Sequence, residues 1–249
     1  MQDSAVNRAF SAQSVHYDSD DQANHVIQDL RKQVYAHVER HIEPGSHILE
    51  LNAGTGIDAQ YFASRGHSVL ATDLSDGMVS MMRQKGISAR QLSYENIGQV
   101  EEKFNYVFSN FGGLNCIDDL GKITRHLPKL LHRNAYVTFV VMPKVCPWEI
   151  LSVFKFNKRA FRRLNKHGVM AHIDGEYFRT WYFSLGDIKK AFEDKFEFIC
   201  SEGLAALSPP PHRANFPMYK ILRRVDRIFN KTFPFNRWAD HIIVTFRLK

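Results

Sequence analysis

Cysteine is scarce in this 249-residue chain. There are three, Cys116, Cys146 and Cys200, an odd number and widely spaced. They draw no disulfide framework and no zinc-finger spacing, and they suit a reducing compartment. Long apolar runs are lacking too. The longest, Tyr136 to Met142, has the length of a strand, well short of the roughly 18–20 residues of a membrane-crossing helix. The opening MQDSAVNRAF carries no basic-then-apolar leader pattern; with the cysteines, this predicts a cytoplasmic protein without a membrane span. Repeats, low-complexity tracts and a Gly-x-x-x-x-Gly-Lys-Ser/Thr phosphate loop are missing as well.

What is present is ordinary core material. Hydrophobic residues make up 44% and charged residues 24%, which excludes a mostly disordered or collagenous chain and fits one domain or a domain plus a cap. The net charge of +7 is uneven: −3 over residues 1–150 and +10 over residues 151–249. Two readings stay open, a solvated basic face or an anionic partner near the C-terminal part.

Periodicity divides the chain. The first 25 residues are polar and read as a loosely held arm. Gln22–Arg40 reads as a helix on Val26, Ile27, Leu30, Val34 and Val38, and Pro44-Gly45 breaks it. Strand and helix then alternate: strand His47–Leu51, helix Gly56–Arg65, strand Ser68–Asp73, helix Asp76–Gln84 capped by Asp76, and a weak strand Ser88–Leu92. Strand Phe104–Asn110, helix Asp118–His132 and strand Ala135–Met142 follow. That order predicts a parallel sheet covered on both faces.

After Pro143 the pattern changes. Trp148–Asn165 reads as helix, Val169–Phe183 as a hairpin around Asp174-Gly175, and Ser184 as the cap of a helix to Asp194. A strand Phe196–Cys200, the rigid Ser208-Pro-Pro-Pro, an amphipathic helix Tyr219–Asn230 and a last strand His241–Arg247 complete the chain. The hairpin and the 205–231 segment have no place in a minimal sheet and read as a cap on one end of it.

The informative stretch is Glu50-Leu-Asn-Ala-Gly-Thr-Gly56, between a strand and a helix. Small residues there let a ligand approach the backbone, and helix-start N–H groups meet its polar atoms. Asp73 ends the second strand, where a carboxylate can accept from both hydroxyls of a ribose. The turn differs from the dinucleotide fingerprint G-x-G-x-x-G.

The run HILELNAGTGIDAQYFASRGHSVLATDLSDGM, with Phe10…Tyr17-Asp18 before it, resembles the opening of class I S-adenosylmethionine-dependent methyltransferases. The likeness covers about residues 17–142. It implies an α/β, doubly wound, mostly parallel seven-stranded sheet of Rossmann-like kind, with the last strand antiparallel and a C-terminal cap insertion. It implies residues 1–44 as an N-terminal arm and helix, and 45–249 as the methyltransferase domain, with insertions at about 150–184 and 205–231.

The resemblance also implies roles. Glu50, Asn52, Ala53, Gly54 and Gly56 would lie around the amino acid portion of S-adenosyl-L-methionine. Asp73 would bind the ribose, with Leu74, Met78, Ser93 and Tyr94 about the adenine. Asn110 would line the place where donor meets acceptor, and Tyr17 would close over the cofactor, whose product is S-adenosyl-L-homocysteine. Three positions depart from the family pattern. Asn52 stands for a glycine, though Asn tolerates positive φ. Ser93 and Asn105 stand where Asp is commonest.

Methyl transfer from a sulfonium needs alignment and dry surroundings, and a base only if the acceptor must lose a proton. No catalytic residue is therefore obligatory; Glu149, His172 and His212 are the candidates. Asn115, Trp148, Arg163, Tyr177 and Tyr182 are the candidates for holding the acceptor, each beside a structural reading. Asn115 reads equally as a turn residue, Trp148 as core, and Glu149 as an acid favoured at a helix start. The basic runs 157–163 and 220–227 read first as solvated faces, with Arg223 and Arg227 opposite the apolar stripe. The alternative turns Arg162 or Arg163 inward onto an anionic acceptor.

The segment Ser109–Asn115 lacks the Asn/Asp-Pro-Pro-Tyr/Phe signature of amino-methylating enzymes acting on nucleic acids or protein amides. Methylation of a small molecule, anionic or aromatic, is the leading expectation. RNA or protein methylation and a non-catalytic cofactor-binding protein are the alternatives.

Overall fold

The computed structural model describes residues 2–155 and 158–249. Three helices open the chain: α1 (Gln2–Gln13), α2 (Tyr17–Ala23) and α3 (His25–Val38). Then come β1 (His47–Leu51), α4 (Ile57–Ser64), β2 (Ser68–Asp73), α5 (Asp76–Gln84), β3 (Ala89–Gln91) and β4 (Phe104–Ser109). They are followed by α6 (Gly121–Thr124), α7 (Leu127–Leu130), β5 (Leu131–Val141) and α8 (Pro147–Ile150). Last are the hairpin β6 (Val169–Ile173) and β7 (Glu176–Thr180), α9 (Leu185–Phe192), β8 (Phe196–Leu204), α10 (Tyr219–Phe229) and β9 (His241–Leu248).

Seven strands form one sheet in the order β3-β2-β1-β4-β5-β9-β8, and β9 runs antiparallel to both neighbours. The Rossmann-like α/β sheet with its last strand antiparallel is therefore present. Both faces are covered, so its strands are apolar on both sides. Phe104, Phe139, Phe192 and Phe246 fill one layer, with Ile123, Leu127 and Ile188 from the helices. Val26, Leu30, Val34 and Phe62 of α3 and α4 close the other, over Tyr106 and Phe108. Each such fully buried aromatic contributes roughly 1.5–3 kcal/mol. The strand order reverses between β1 and β4, and a cleft opens at the carboxyl ends of those strands.

Several elements differ from the sequence reading. The polar arm is helical and clamped. Arg8 pairs in a fork with Glu176 at 2.8 and 2.9 Å, Gln2 donates to Arg179 O at 2.9 Å, and Phe10 lies 5.6 Å from Phe178. Its partner is the hairpin, more than 150 residues away, so no local pattern could announce it. α5 is capped by Ser75, whose hydroxyl accepts from Met78 N at 3.1 Å, rather than by Asp76. The expected helix 118–132 is broken into α6 and α7, because Pro128 at the second position of α7 can only open a helix. The expected helix Trp148–Asn165 is the single turn of α8 followed by 3-10 turns, and residues 156 and 157 lie outside the described residues.

α10 is oriented against expectation. It buries Arg223 and Asp226, while Ile221 and Ile228 face outward, 59% and 70% exposed. The cause lies in the segment before it. Leu207 N and Ser208 N are donors that need an acceptor, and Asp226 accepts from them at 2.7 and 2.8 Å. Arg223 donates to Asp29 O at 3.1 Å, and Tyr219 OH to Asp29 Oδ2 at 2.9 Å. The helix is thus seated on α3 by polar groups.

Beneath α3, the ligand atoms of His37, His41 and Cys200 lie within 4.8 Å of one another. Both His37 ring nitrogens are engaged, Nδ1 at 2.9 Å from Glu202 and Nε2 at 2.7 Å from Thr245 Oγ1. Thr138 and Tyr106 continue that chain at 2.8 and 2.6 Å. No ring lone pair of His37 remains for a cation, and the cluster is a buried hydrogen-bond network.

Candidate active site

The turn after β1 is built on positive φ. Asn52 has φ 47°, Gly54 57° and Gly56 83°. Asn52 occupies the left-handed region, as its side chain permits. The same side chain bridges two loops: Nδ2 donates to Asn110 O at 2.9 Å, and Oδ1 accepts from Tyr94 OH at 2.8 Å and from Ser109 Oγ. Its oxygen is thus held by two hydroxyls and one of its two N–H groups by a carbonyl, which fixes the side chain between the loops. Gly113 leaves the room, since a methyl there would overlap the Asn52 amide. Gly113→Ala is expected to cost about 1–3 kcal/mol by overpacking. Asn52→Gly should relieve most of that loss, and a double-mutant cycle in urea measures it.

Asp73 faces the turn. Oδ2 accepts from Gly54 N at 2.9 Å and Oδ1 from Ser75 N at 2.8 Å. A carboxylate offers about four acceptor positions, so each oxygen keeps one for the cleft, the arrangement a ribose diol requires. Burial pushes the carboxyl up to about 6, against the opposing pull of the Ser75 and Gly54 amides. Among the described residues, only the Tyr17 ring comes within 4 Å of a methyl added at Gly54, at 3.9 Å. Burial raises the Tyr17 hydroxyl despite nearby Arg31, so the phenol stays protonated.

The cleft has a volume of about 1040 Å³ and reaches from Asp73 to Arg31 and under the hairpin. That is the upper end of the ~300–1,000 Å³ of ligand pockets and gives room for two small molecules.

Residues 48–134 match the family described as methyltransferase domain. Over that stretch, from β1 into β5, the chain is similar to methyltransferase domains. Over 90 residues it is 30% identical to demethylmenaquinone methyltransferases of Mycobacterium sp. strains KMS and JLS, covering 34% of this chain and 39% of those relatives. The match thus spans well under half of their length. An S-adenosylmethionine-dependent methyltransferase from Mesorhizobium loti superposes with TM-score 0.57 at 16% identity, over 86% of this chain and 96% of that one. The 1,6-didemethyltoxoflavin-N1-methyltransferase of Burkholderia thailandensis, solved with 1,6-didemethyltoxoflavin and S-adenosylhomocysteine, gives TM-score 0.57 at 16% identity, over 99% and 88%.

Tyr17, Asn52, Ala53, Gly54, Asp73, Leu74, Met78, Ser93, Tyr94 and Asn110 all line the cleft. Glu50 and Gly56 do not. Glu50 lies buried beneath the turn, and burial with nearby Asp58 and Asp73 raises its carboxyl well above the usual range. Gly56 is a packing glycine, where a methyl would press on Ile87 and on Met82 Cγ at 2.9 Å.

Of the acceptor candidates, Tyr177 and Tyr182 line the cleft, as does the candidate base His172, whose ring lies 4.5 Å from Tyr177. The others are placed elsewhere. Asn115 is a strut, donating to Met142 O at 3.0 Å and Trp181 O at 2.6 Å. Trp148 donates to Leu207 O at 3.1 Å. Glu149 accepts from Arg162 and Arg163 at 2.9–3.0 Å, and although burial opposes its charge, the two guanidiniums hold its carboxyl below the ordinary value. Arg163 also holds Asp240 at 2.8 Å, so its charge is satisfied inside the protein. His212 is exposed and away from the cleft.

Sequence reasoning missed Arg31 and Asp58. Both line the cleft and both are buried. Arg31 bonds Asp21 and Asp58, and its ring partner is Phe111 at 5.0 Å. Asp58 accepts from Tyr35 OH at 2.6 Å and Asn110 Nδ2 at 2.9 Å. The available signal was a charge on the apolar side of a helix: Arg31 stands between Leu30 and Val34. Cys116 lines the cleft too, but burial pushes its thiol up to about 12, so it is no nucleophile.

Proposed function

We propose that this chain transfers a methyl group from S-adenosyl-L-methionine to a small-molecule acceptor, releasing S-adenosyl-L-homocysteine. The observation that carries the reading is the convergence of the glycine turn and the two open acceptor positions of Asp73 on one cleft. When bound, the cofactor supplies an electrophilic methyl group. Asp73 would hold its ribose, Leu74 and Met78 would flank its adenine, and Arg31 would meet its carboxylate, since the guanidinium Nε is buried without a partner among the described residues. Tyr17 would cover it and exclude water.

Beyond that end, the cleft is walled by Val6, Phe10, Ile117, Met142, Ile173 and Phe178. Apolar walls under a helical lid favour a small, partly apolar acceptor over RNA or a protein surface. The names of the mycobacterial relatives and of the Burkholderia enzyme, demethylmenaquinone and 1,6-didemethyltoxoflavin methyltransferases, support the same class. The cleft-lining cations Arg31, Lys122 and Arg162 are each paired with acids, so the basic C-terminal portion does not converge on it.

Calorimetry should show saturable binding of S-adenosyl-L-homocysteine, and S-adenosyl-L-methionine should yield that product with at least one acceptor from a panel. Protein that binds neither cofactor form ends the reading. The affinity should also carry the signature of Asp73. Ribose hydroxyls donate to the ionised carboxylate, so affinity rises with pH through about 6 and then flattens. Below that point each unit costs about tenfold, and Asp73→Asn should remove the slope. For the free protein the sign is opposite. A carboxyl raised from 3.8 to about 6 stabilises the fold only while protonated, and that contribution fades as pH climbs through this window.

A further inference from the structure

We infer that α10 and the loop after it form a peripheral docking surface for an anionic lipid bilayer. The helix has its polarity reversed relative to an ordinary surface helix, which turns its apolar stripe toward the core. At 100° per residue, Asp226, Tyr219, Asn230 and Arg223 fall on one narrow arc, and all four are buried. The outward half is divided lengthwise. Ile221, Val225, Ile228 and Phe229 occupy one side, and Lys220, Arg224 and Arg227 the other.

The apolar side continues past the helix. Phe233 is 67% exposed and Trp238 42%, their rings 5.9 Å apart, and the Arg237 guanidinium lies 5.1 Å over Phe233. Ile150, Leu151, Phe161 and Leu164 in the segment after β5 are exposed as well, and Trp148 there meets Phe216 edge-on at 5.4 Å.

Charge decides the occupant. Residues 212–238 hold seven Lys or Arg and one acid, Asp226, which is buried and bound to the 207–208 backbone. A stripe of cations beside isoleucine and aromatic side chains matches the boundary between lipid headgroups and acyl chains. A second copy of the chain would bring the same basic stripe against itself, which opposes self-association.

The intact protein is mixed with vesicles of phosphatidylcholine alone and of phosphatidylcholine with phosphatidylglycerol, and bound protein is separated by flotation. Binding is expected to the anionic vesicles only, and to fall with added salt. The pairs Ile221→Gln with Ile228→Gln, and Arg224→Glu with Arg227→Glu, should each weaken it by about tenfold or more. All four side chains point to solvent, so both variants should melt as the parent does and bind S-adenosyl-L-homocysteine equally. The proposal is overturned by protein that ignores anionic vesicles, by variants that float like the parent, or by binding to heparin without binding to vesicles. A dimer that Ile228→Gln dissociates, with no vesicle binding, also overturns it.

Discussion

Asp73→Ala is expected to lower the affinity for S-adenosyl-L-homocysteine by at least about 100-fold. Hydrogen bonds to an ionised group contribute roughly 1.5–3 kcal/mol each, and the carboxylate has one open position on each oxygen for the two ribose hydroxyls. Losing both removes about 3 kcal/mol or more, while the ribose still gives up its water. The fold should survive, because the Gly54 amide released by the mutation faces a cleft that water can enter. Parent and variant are compared by calorimetry and by thermal melting. An affinity within threefold of the parent would mean that the ribose lies elsewhere, and the assignment of the cleft would fall with it.

The second large effect concerns stability. Arg31 is 4% exposed, as is Asp21, and Asp58 is 5% exposed. Burial opposes the Arg31 charge, and the carboxylates outweigh it and hold the guanidinium above its ordinary value. Arg31→Met leaves Asp21 and Asp58 facing each other without a cation, beside Glu50. Breaking a buried ion pair in this way costs about 3–5 kcal/mol, enough to unfold a marginal domain. Urea denaturation should show it. The deficit should narrow toward acid pH, where protonation removes the repulsion. Arg31→Met combined with Asp21→Asn and Asp58→Asn should recover most of the loss, which separates electrostatics from packing. A single variant as stable as the parent would show that water reaches the triad.

The sequence disclosed what is local. The β1–turn–α4 unit, the carboxylate closing β2 and the hairpin at Asp174-Gly175 are each written in a few neighbouring residues, and φ, spacing and alternation carry them. Contacts between distant segments were not legible. Arg31 meets Asp58 across 27 positions, and α1 meets the hairpin across more than 150. Nothing in either segment states the other's identity. Between the two readings that Trp148, Glu149 and Arg163 each carried, the sequence could not choose for a related reason. Trp148 and Glu149 follow β5 at its ligand edge and Arg163 ends the basic run beyond them, and a ring of ion pairs and hydrogen bonds turns all three into the protein. α10 misled because amphipathic periodicity gives a helix two sides without saying which one faces inward. Three backbone and side-chain donors in need of Asp226 decided that.

The first helix lies across the hairpin and also touches α5, where a methyl added to Gly77 would come within 2.7 Å of the Ser11 backbone. Only a residue without a side chain fits there, so alanine at position 77 would push the first helix off α5. The Arg8–Glu176 fork and the Phe10–Phe178 contact fasten the same helix to the hairpin on its other side, so one helix ties α5 to the β6–β7 pair.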